Sequence, residues 1–299
     1  MMTKGNIPKR LTGYIMNNEK NGQLYICATP IGNLEDITLM VLRILKEVDF
    51  IAAEDTRHTL KLLNYYDIKT PITSYHEHNK LKKGKELLDK LMAGASIALV
   101  SDSGMPGISD PGRDIISLCH SMHIAVSVCP GASAGISALV ISGFCSRRYA
   151  FEGFLPSQKK FRKAALESLA YETRTIILYE SPHRLLTTLN ELYQSLGDRE
   201  IAIARELTKK FEEISFGQLS ELLKHYEENL PKGEFVLIIK GAAQVKGIES
   251  LHQSFDGDVI AHVKHYVGMG SSEMDAMKKV AKDRGLSKGE VYRLYKIKN

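Results

Sequence analysis

Four short polar segments of this chain carry the side chains that acid–base chemistry and phosphate binding require. They are residues 54–57, 76–79, 180–184 and 205–209. Each follows an apolar run typical of a strand, so parallel strands would deliver all four to one rim of a sheet. One such segment alone is more often a solvated loop than a site. Four together favour a site.

Two kinds of chemistry follow from the residue types in these segments. Carboxylate and imidazole groups can orient or deprotonate a hydroxyl. The candidates for that role, without preference among them, are Glu54, Asp55, His78 and Glu180. Guanidinium and ammonium groups suit phosphates. The candidates for phosphate binding are Arg57, Arg184, Arg205 and Lys209.

Three loops rich in small residues follow strand-like runs and predict a ligand crevice. They are residues 28–34, 100–113 and 129–135. Glycine lets backbone groups approach a ligand closely, and proline holds a loop in shape before anything binds. Ligands bind at such strand ends in open α/β sheets. For a single loop, an ordinary strand-to-helix connection would be an equally good interpretation.

Several other chemistries lack their sequence motifs. The chain has no Gly-x-Gly-x-x-Gly, Walker or Gly-x-Ser-x-Gly sequence, which argues against nicotinamide, nucleotide-hydrolysis and hydrolase chemistry. His76 and His78 lie two residues apart without a further ligand set, so we expect no metal. The four cysteines show no Cys-x-x-Cys spacing and are typical of reduced core residues in a cytosolic protein.

Alternating strand and helix patterns predict the elements that position these segments. In the first half, strands are predicted at 23–28, 49–53, 71–75, 95–100 and 124–128. Helices are predicted at 37–45 (with Asp36 as N-cap), 57–66, 81–92, 112–122 and 133–142. This order is typical of a mostly parallel sheet with helices on both faces.

The second half predicts a mixed sheet that begins after a boundary within residues 143–150. Its strands are predicted at 174–179, 200–204, 211–217 and 234–240. Its helices are predicted at 158–171, 182–195 and 218–227. Because little chain separates the second and third of these strands, part of the sheet should be antiparallel. Three short helices, near 257–267, 271–283 and 287–296, should follow.

The chain therefore divides into five predicted segments. They are a flexible lead-in (1–22), an N-terminal α/β domain (23–143), a C-terminal α/β domain (144–243), a linker (244–256) and a small helical module (257–299). The net charge of +5 is concentrated at the two ends, which indicates a polyanionic partner such as RNA or merely solvated tails. No membrane span and no signal peptide are predicted.

Several motifs in combination resemble one enzyme family. They are ATPIGNLEDIT (28–38), AEDTR (53–57), SDSGMPGISDPG (101–112), PGASA (130–134), YESPHR (179–184), ARELTK (204–209) and GEF (233–235). The resemblance is to the ribosomal RNA small-subunit methyltransferase I family, in the tetrapyrrole-methylase class of S-adenosylmethionine enzymes. It implies two α/β domains with the cofactor in the cleft between them. It also implies 2′-O-methylation of a cytidine ribose in the decoding centre of 16S ribosomal RNA.

The resemblance further implies which residues contact S-adenosylmethionine, mostly through their backbone. They are Pro30, Ser101, Asp102, Gly104, Met105, Pro106, Gly107, Ile108, Ser133, Ala134, Leu178, Tyr179, Ala204, Gly233 and Glu234. Met105 departs from the family pattern, which more often has a small hydroxyl residue there. A backbone contact would survive that change. The resemblance also implies a cytoplasmic homodimer with small-subunit rRNA as partner and neither metal nor membrane.

Two other functions stay open on the sequence alone. A methyltransferase acting on a small precorrin-like tetrapyrrole would need a closed apolar trough, and the basic tail and arginine-rich rim argue against it. A non-catalytic RNA-binding protein with the same fold would bind RNA without methyl incorporation. The sequence does not decide whether residues 257–299 bind rRNA, or whether naked RNA or an assembled subunit is the substrate.

Overall fold

The computed structural model describes residues 22–243, 259–268, 270–284 and 286–296. The chain divides into a body that ends at Ala242 and a C-terminal unit that begins at Ala243. The predicted lead-in, apart from Gly22, and the predicted linker lie outside the described residues.

The first sheet of the body is entirely parallel, where a mostly parallel sheet was predicted. Its strands are β1 (Gln23–Cys27), β2 (Phe50–Ala53), β3 (Ile72–Ser74), β4 (Ser96–Val100) and β5 (Ala125–Cys129). They lie in the order β3-β2-β4-β1-β5. Because all five run in one direction, their carboxyl ends meet at one edge, and the polar segments and small-residue loops begin there.

Helices cover both faces of this sheet because successive strand residues point to opposite sides. The helices are α1 (Leu39–Glu47), α2 (Thr56–Tyr65), α3 (Lys80–Met92) and α4 (Arg113–Ser121), and a further helix, α5 (Ala134–Ser142), follows β5. Ile51 and Ala53 pack with α1 and α2, whereas Ala52 packs with α3 and α4.

The predicted N-cap of the first helix is wrong. Asp36 ends a separate 3-10 turn, Leu34–Asp36. Thr38 caps α1 instead, because its hydroxyl oxygen accepts a hydrogen bond from the Val41 N–H at 3.2 Å. Both residue types favour this position, and the sequence pattern selected the acidic one.

The second sheet is mixed, as predicted, but contains a strand that the sequence analysis missed. The strands are β6 (Tyr149–Phe154), β7 (Thr175–Glu180), β8 (Glu200–Arg205), β9 (Glu213–Gln218) and β10 (Phe235–Ile239). Their order is β6-β7-β10-β8-β9, with only β6 and β7 parallel. The missed strand is β6, whose register shifts between Phe151 and Gly153. That shift breaks the two-residue periodicity that identifies a strand.

The second sheet is covered on one face by three helices and on the other by α5. The three are α6 (Lys159–Leu169), α7 (Pro182–Leu196) and α8 (Leu219–Glu228). On the opposite face, Ala138 and Leu139 of α5 pack against Ile177 and Val236. The last helix before the predicted domain boundary therefore packs on the second sheet and ties the two halves of the body together.

The C-terminal unit is a bundle of three helices, α9 (Val259–Gly268), α10 (Glu273–Arg284) and α11 (Lys288–Lys296). They enclose a small core that includes Val263, Val280 and Val291. Helices were predicted in these three places. None of the helices in the described part of the chain has the length and apolarity to cross a membrane.

Candidate active site

A cavity of about 510 Å³ lies at the strand ends between the two sheets and is called here the cleft cavity. Its lining comes from the loops after β2, β4 and β5 and from the second sheet at the end of β7 and the start of β10. The residues that line it include Glu54, Asp102, Ser103, Gly104, Met105, Ile108, Asp110, Ser133, Ala134, Phe154, Tyr179, Glu180, Glu234 and Phe235.

Many of the residues predicted to contact a cofactor lie on this cavity. The structure gathers Asp102, Gly104, Met105, Ile108, Ser133, Ala134, Tyr179 and Glu234 there. Ala204 lines a space of about 40 Å³ that shares Ser103, Ala134 and Glu234 with it. Pro30 and Ser101 line an adjoining cavity. The roles of all these residues stay predictions.

Four of the predicted cofactor residues line none of these three cavities. These four residues are Pro106, Gly107, Leu178 and Gly233. The Leu178 side chain is fully buried in the core on the far face of the second sheet, so only its backbone could reach a ligand. Gly233 has a φ of +91°, and a Cβ there would lie 2.6 Å from a Glu206 carboxylate oxygen. This glycine therefore has a packing role of its own.

A short bridge fixes the floor of the cleft cavity. The Thr29 N–H donates to the Gly104 carbonyl at 2.9 Å, and the Gly104 N–H donates to the Thr29 carbonyl at 3.1 Å. Gly104 has a φ of +82°, which favours glycine. The bridge holds the loops after β1 and β4 together before any ligand binds.

Tyr179 forms a rigid wall on the side of the second sheet. Its hydroxyl oxygen accepts a hydrogen bond from the Gly135 N–H at 3.0 Å. The rings of Phe151 and Phe154 contact its ring edge-on, with centroids 5.2 and 5.7 Å away. Burial raises the pKa of the Tyr179 hydroxyl, so it stays protonated at neutral pH.

Glu54 lies in a cluster of carboxylates at the opposite wall. Burial, together with the negative charges of Asp110, Asp102 and Asp55, raises the pKa of Glu54 to about 7. Its side chain makes no hydrogen bond or ion pair with any other described residue. Burial also raises the pKa of Asp110. A carboxylate that titrates near neutral pH in a cavity is suited to accept a proton.

Asp55, the neighbouring candidate, is the N-cap of α2. It accepts a hydrogen bond from the Arg57 N–H at 2.8 Å and two more from the Arg57 guanidinium, at 3.1 and 2.8 Å. These hydrogen bonds lower the pKa of Asp55 to about 2. Asp55 is therefore a weak proton acceptor at neutral pH.

Glu180 lines the cleft cavity, but both of its carboxylate oxygens have partners. One accepts from the Thr188 hydroxyl at 2.6 Å, and the other accepts from the Ser181 N–H at 2.9 Å. The Arg184 guanidinium lies 3.4 Å from the second oxygen. His78 is exposed and lines neither large cavity. Of the four acid–base candidates, Glu54 alone lies in the cleft cavity without a partner among the described residues.

The four cations predicted to bind phosphates all have partners within the protein. Arg57 pairs with Asp55, and Arg205 with Glu213 at 2.9 Å. Lys209 lies 3.0 Å from both Glu206 and Glu234. Arg184 donates to the Leu155 carbonyl at 2.6 Å. An RNA phosphate would have to compete with these partners.

A second cavity of about 490 Å³, called here the α2 cavity, adjoins the cleft cavity. The two share Ile31, Asp102, Ser103 and Glu234. One face of α2 lines it with His58, Thr59, Lys61, Leu62 and Tyr65. No motif in the sequence marks this face of α2. Its only signal was the helical spacing of residues 58, 61, 62 and 65, which cannot show that a cavity lies beside it.

The two halves of the body meet tightly beside the α2 cavity. The Asn33 N–H donates to the Thr208 hydroxyl oxygen at 3.0 Å. A Cβ on Gly32 would lie 2.9 Å from the Leu207 carbonyl oxygen. Thr208 and Glu206 have φ values of +62° and +49°, which are uncommon for residues other than glycine.

Within the described residues, no group of His, Cys, Asp and Glu side chains could hold a metal ion.

Comparisons with known proteins agree with this architecture. Residues 23–223 match the family model "Tetrapyrrole (Corrin/Porphyrin) Methylases". The chain is 48% identical over 288 residues to ribosomal RNA small subunit methyltransferase I of Halalkalibacterium halodurans, covering 96% of this chain and 99% of that protein. For the protein of the same name from Bacillus subtilis, identity is 46% over 277 residues, covering 93% and 95%.

Solved structures show the same fold at low identity. Uroporphyrin-III C-methyl transferase from Thermus thermophilus, complexed with S-adenyl homocysteine, superposes with a TM-score of 0.52 at 17% identity. The match covers 73% of this chain and 97% of that one. At this level of identity the likeness concerns the fold alone.

Proposed function

This chain belongs to the tetrapyrrole methylase family and, within it, to the ribosomal RNA small subunit methyltransferase I family, and we propose that it methylates a ribose of ribosomal RNA. The donor is S-adenosylmethionine, and the acceptor is the 2′-hydroxyl of a cytidine in the decoding centre of 16S rRNA. The observation that carries the proposal is the unpartnered Glu54 in a cavity lined by the residues predicted to hold this cofactor.

The cleft cavity fits S-adenosylmethionine in size and chemistry. Its volume, about 510 Å³, lies within the usual range for small-molecule sites. Ser103 and Ser133 offer hydroxyls, and Phe154 and Tyr179 offer apolar surface. When bound, the cofactor supplies a methyl group on a positively charged sulfonium. The carboxylates of the cleft cavity complement that positive charge.

In this proposal Glu54 accepts the proton that the ribose hydroxyl loses. A 2′-hydroxyl is a weak acid, and a carboxylate with a pKa of about 7 is a stronger base than an ordinary one. Asp102 holds the chain beside Glu54, because its carboxylate accepts from the Asp55 N–H at 3.0 Å. The rigid walls would orient the reactants, which can supply much of the rate enhancement.

Binding of RNA outside the cavity is proposed for Arg57, Arg184, Arg205 and Lys209. Arg57 is the best placed for this role, because its side chain is 87% exposed. An exposed ion pair contributes little stability, so it can exchange its carboxylate partner for a phosphate. The basic ends of the chain support an rRNA partner, and a cytoplasmic location follows from such a substrate.

A homodimer is proposed on the exposed face of α5. Ile136, Val140 and Ile141 are each at least 44% exposed and lie on one side of this helix. A second copy could cover such an apolar face. Light scattering of the intact protein and of Val140→Asp tests this proposal. A dimer that the substitution converts to a monomer supports it, and a wild-type monomer contradicts it.

The function itself is tested by methyl incorporation. Labelled S-adenosylmethionine is incubated with small ribosomal subunits that lack the modification, and with naked 16S rRNA, and the product nucleosides are identified. We expect label in a 2′-O-methylated cytidine derivative. Label in another nucleoside would contradict the proposed target. Label only in a precorrin-like tetrapyrrole would establish the alternative substrate class. RNA binding without any incorporation would indicate a non-catalytic protein.

A further inference from the structure

We propose that the α2 cavity binds the target nucleotide, a pyrimidine extruded from the RNA, with Tyr65 stacking on its base and Lys61 and His58 contacting its phosphates. This inference rests on the proposed function and deepens it by naming the substrate pocket. Enzymes that act on a base take it out of the stack, and specific RNA recognition commonly holds an unstacked base against an aromatic side chain.

The position of the cavity carries the first part of the inference. The α2 cavity and the cleft cavity share the residues Asp102, Ser103 and Glu234. A cofactor in one cavity and a ribose hydroxyl in the other would therefore meet at this common wall. Glu54 lines the cleft cavity with Asp102 and Ser103. The proton acceptor thus lies beside the wall where the hydroxyl would arrive.

The lining of the cavity suits a nucleotide better than an apolar ligand. Tyr65 is 64% exposed, so a base can stack on its ring. Leu34 and Leu62 add apolar surface. Thr59, which is only 2% exposed, also lines the cavity, and its hydroxyl has no hydrogen-bond partner in the described structure. A polar group of the base could supply that missing partner.

The charged side chains on this face have no internal partner among the described residues, unlike the four side chains predicted to bind phosphates. The Lys61 and His58 side chains are exposed and make no ion pair or side-chain hydrogen bond with another described residue. A phosphate would therefore not have to displace an internal carboxylate.

The cavity is also held in shape in advance. The Tyr66 hydroxyl donates to the Leu34 carbonyl at 2.6 Å, which fastens the loop after β1 to the end of α2. The ring of Tyr66 contacts the ring of Tyr65 edge-on at 4.9 Å. A wall that is already ordered loses less conformational entropy when a nucleotide binds.

The decisive experiment compares Tyr65→Ala with Tyr171→Ala, since Tyr171 is an exposed tyrosine outside both cavities. For each variant, KM for the RNA substrate, kcat and the Kd for S-adenosylmethionine are measured, together with thermal unfolding. We expect Tyr65→Ala to raise KM about tenfold or more, with the cofactor Kd unchanged. Tyr65→Phe should restore the KM. Lys61→Gln should raise it less, with Lys163→Gln as the matched control.

A second measurement separates this inference from the proposed function. Saturation-transfer NMR with cytidine 5′-monophosphate reports binding without any methylation. Signals that are present in the wild type and in Tyr171→Ala but lost in Tyr65→Ala would support the pocket, even if no rRNA substrate were methylated. Unchanged signals and KM in a folded Tyr65→Ala would overturn it. A weakened cofactor Kd in that variant would also overturn it, because the cavity would then belong to the cofactor.

Discussion

The predicted site residues on the rim of the first sheet include a charged group without an internal partner among the described residues, whereas those on the rim of the second sheet all have one. On the first rim, Glu54, His58 and Lys61 have no internal partner within the described chain. On the second rim, Glu180 is bonded to Thr188 and Ser181, and Arg205 to Glu213. Both rims contribute residues to the cavities. What separates them is that some charged groups of the first rim, though not the paired Asp55 and Arg57, lack an internal partner in the part of the chain that the structure describes.

This difference indicates different roles for the two rims. A charged group with internal partners stabilises the fold, and a group that lacks them retains its capacity to bind a ligand or accept a proton. Under the proposed function, the second sheet supplies a wall that closes the cleft cavity, and the first sheet supplies the reactive groups. The following substitutions test that division, in order of decreasing expected effect.

Glu54→Gln tests the reactive rim and has the largest expected effect. It removes the proposed proton acceptor and keeps the shape of the side chain, so kcat should fall 10²- to 10⁴-fold, as is typical of a general base. The cofactor Kd should change much less. The matched control is Glu180→Gln on the other rim, measured in the same assay. Equal losses of kcat in the two variants would contradict the division between rims.

The same residue predicts two pH dependences. Because Glu54 must be deprotonated to accept a proton, kcat/KM should rise with pH through about 7, and Glu54→Gln should lack that rise. The raised pKa also means that the folded state holds the proton more tightly than the unfolded chain. Wild-type stability should therefore fall as pH rises from about 4.5 to 7, relative to Glu54→Gln. Parallel urea titrations of both proteins would reveal this difference or its absence.

Glu180→Ala tests the structural rim. It leaves the buried Thr188 hydroxyl and the Ser181 N–H without their acceptor and removes one of the partners of Arg184. Breaking a buried charged network in this way should lower the free energy of unfolding by about 3 kcal/mol. Urea unfolding gives the value. Leu230→Ala, at a side chain 79% exposed, serves as a control and should change little.

The sequence was sufficient for most of the fold because the patterns involved are local. Alternating apolar runs and helical spacings gave the strands of the parallel sheet and the antiparallel portion of the second. The strand β6 was missed because its bulge at Gly153 disrupts the periodicity. The N-cap at Asp36 was wrong because Thr38, two residues later, is an equally suitable capping residue.

The site could be predicted less completely, because the composition of a segment does not show which groups the fold places against each charge. Residues 54–57 and 180–184 have similar polar compositions, yet only the fold places Thr188 against Glu180 and the carboxylates of Asp102 and Asp110 near Glu54. The α2 cavity could not be predicted from the sequence, because Lys209, which forms part of its wall, is far along the chain from α2. Sequence motifs located the polar residues at the strand ends, and only the three-dimensional contacts showed which of them lack internal partners.

Gly32→Ala tests the contact where the two halves meet. The added Cβ would lie 2.9 Å from the Leu207 carbonyl oxygen and 2.5 Å from Lys209 Cγ, so backbone has to move. Such overpacking should cost about 1–3 kcal/mol of stability and raise the cofactor Kd, because the loop also lines both cavities. Gly289→Ala, where a Cβ meets nothing within 4 Å, is the matched control. A folded Gly32→Ala with unchanged stability and cofactor Kd would show that this contact is loose.

Substitutions at Thr208 have the smallest expected effect. They separate the contribution of its hydrogen bond from that of its unfavourable backbone conformation. Its hydroxyl accepts the Asn33 N–H, and its φ of +62° is unfavourable for a β-branched side chain. Thr208→Val keeps the unfavourable backbone and loses the acceptor, so it should lower the free energy of unfolding by about 1 kcal/mol. Thr208→Ser keeps the acceptor and removes the branch, so its stability should equal or exceed that of the wild type. If Thr208→Ser were destabilising and Thr208→Val were not, packing of the methyl group rather than the hydrogen bond would join the reactive rim to the structural one.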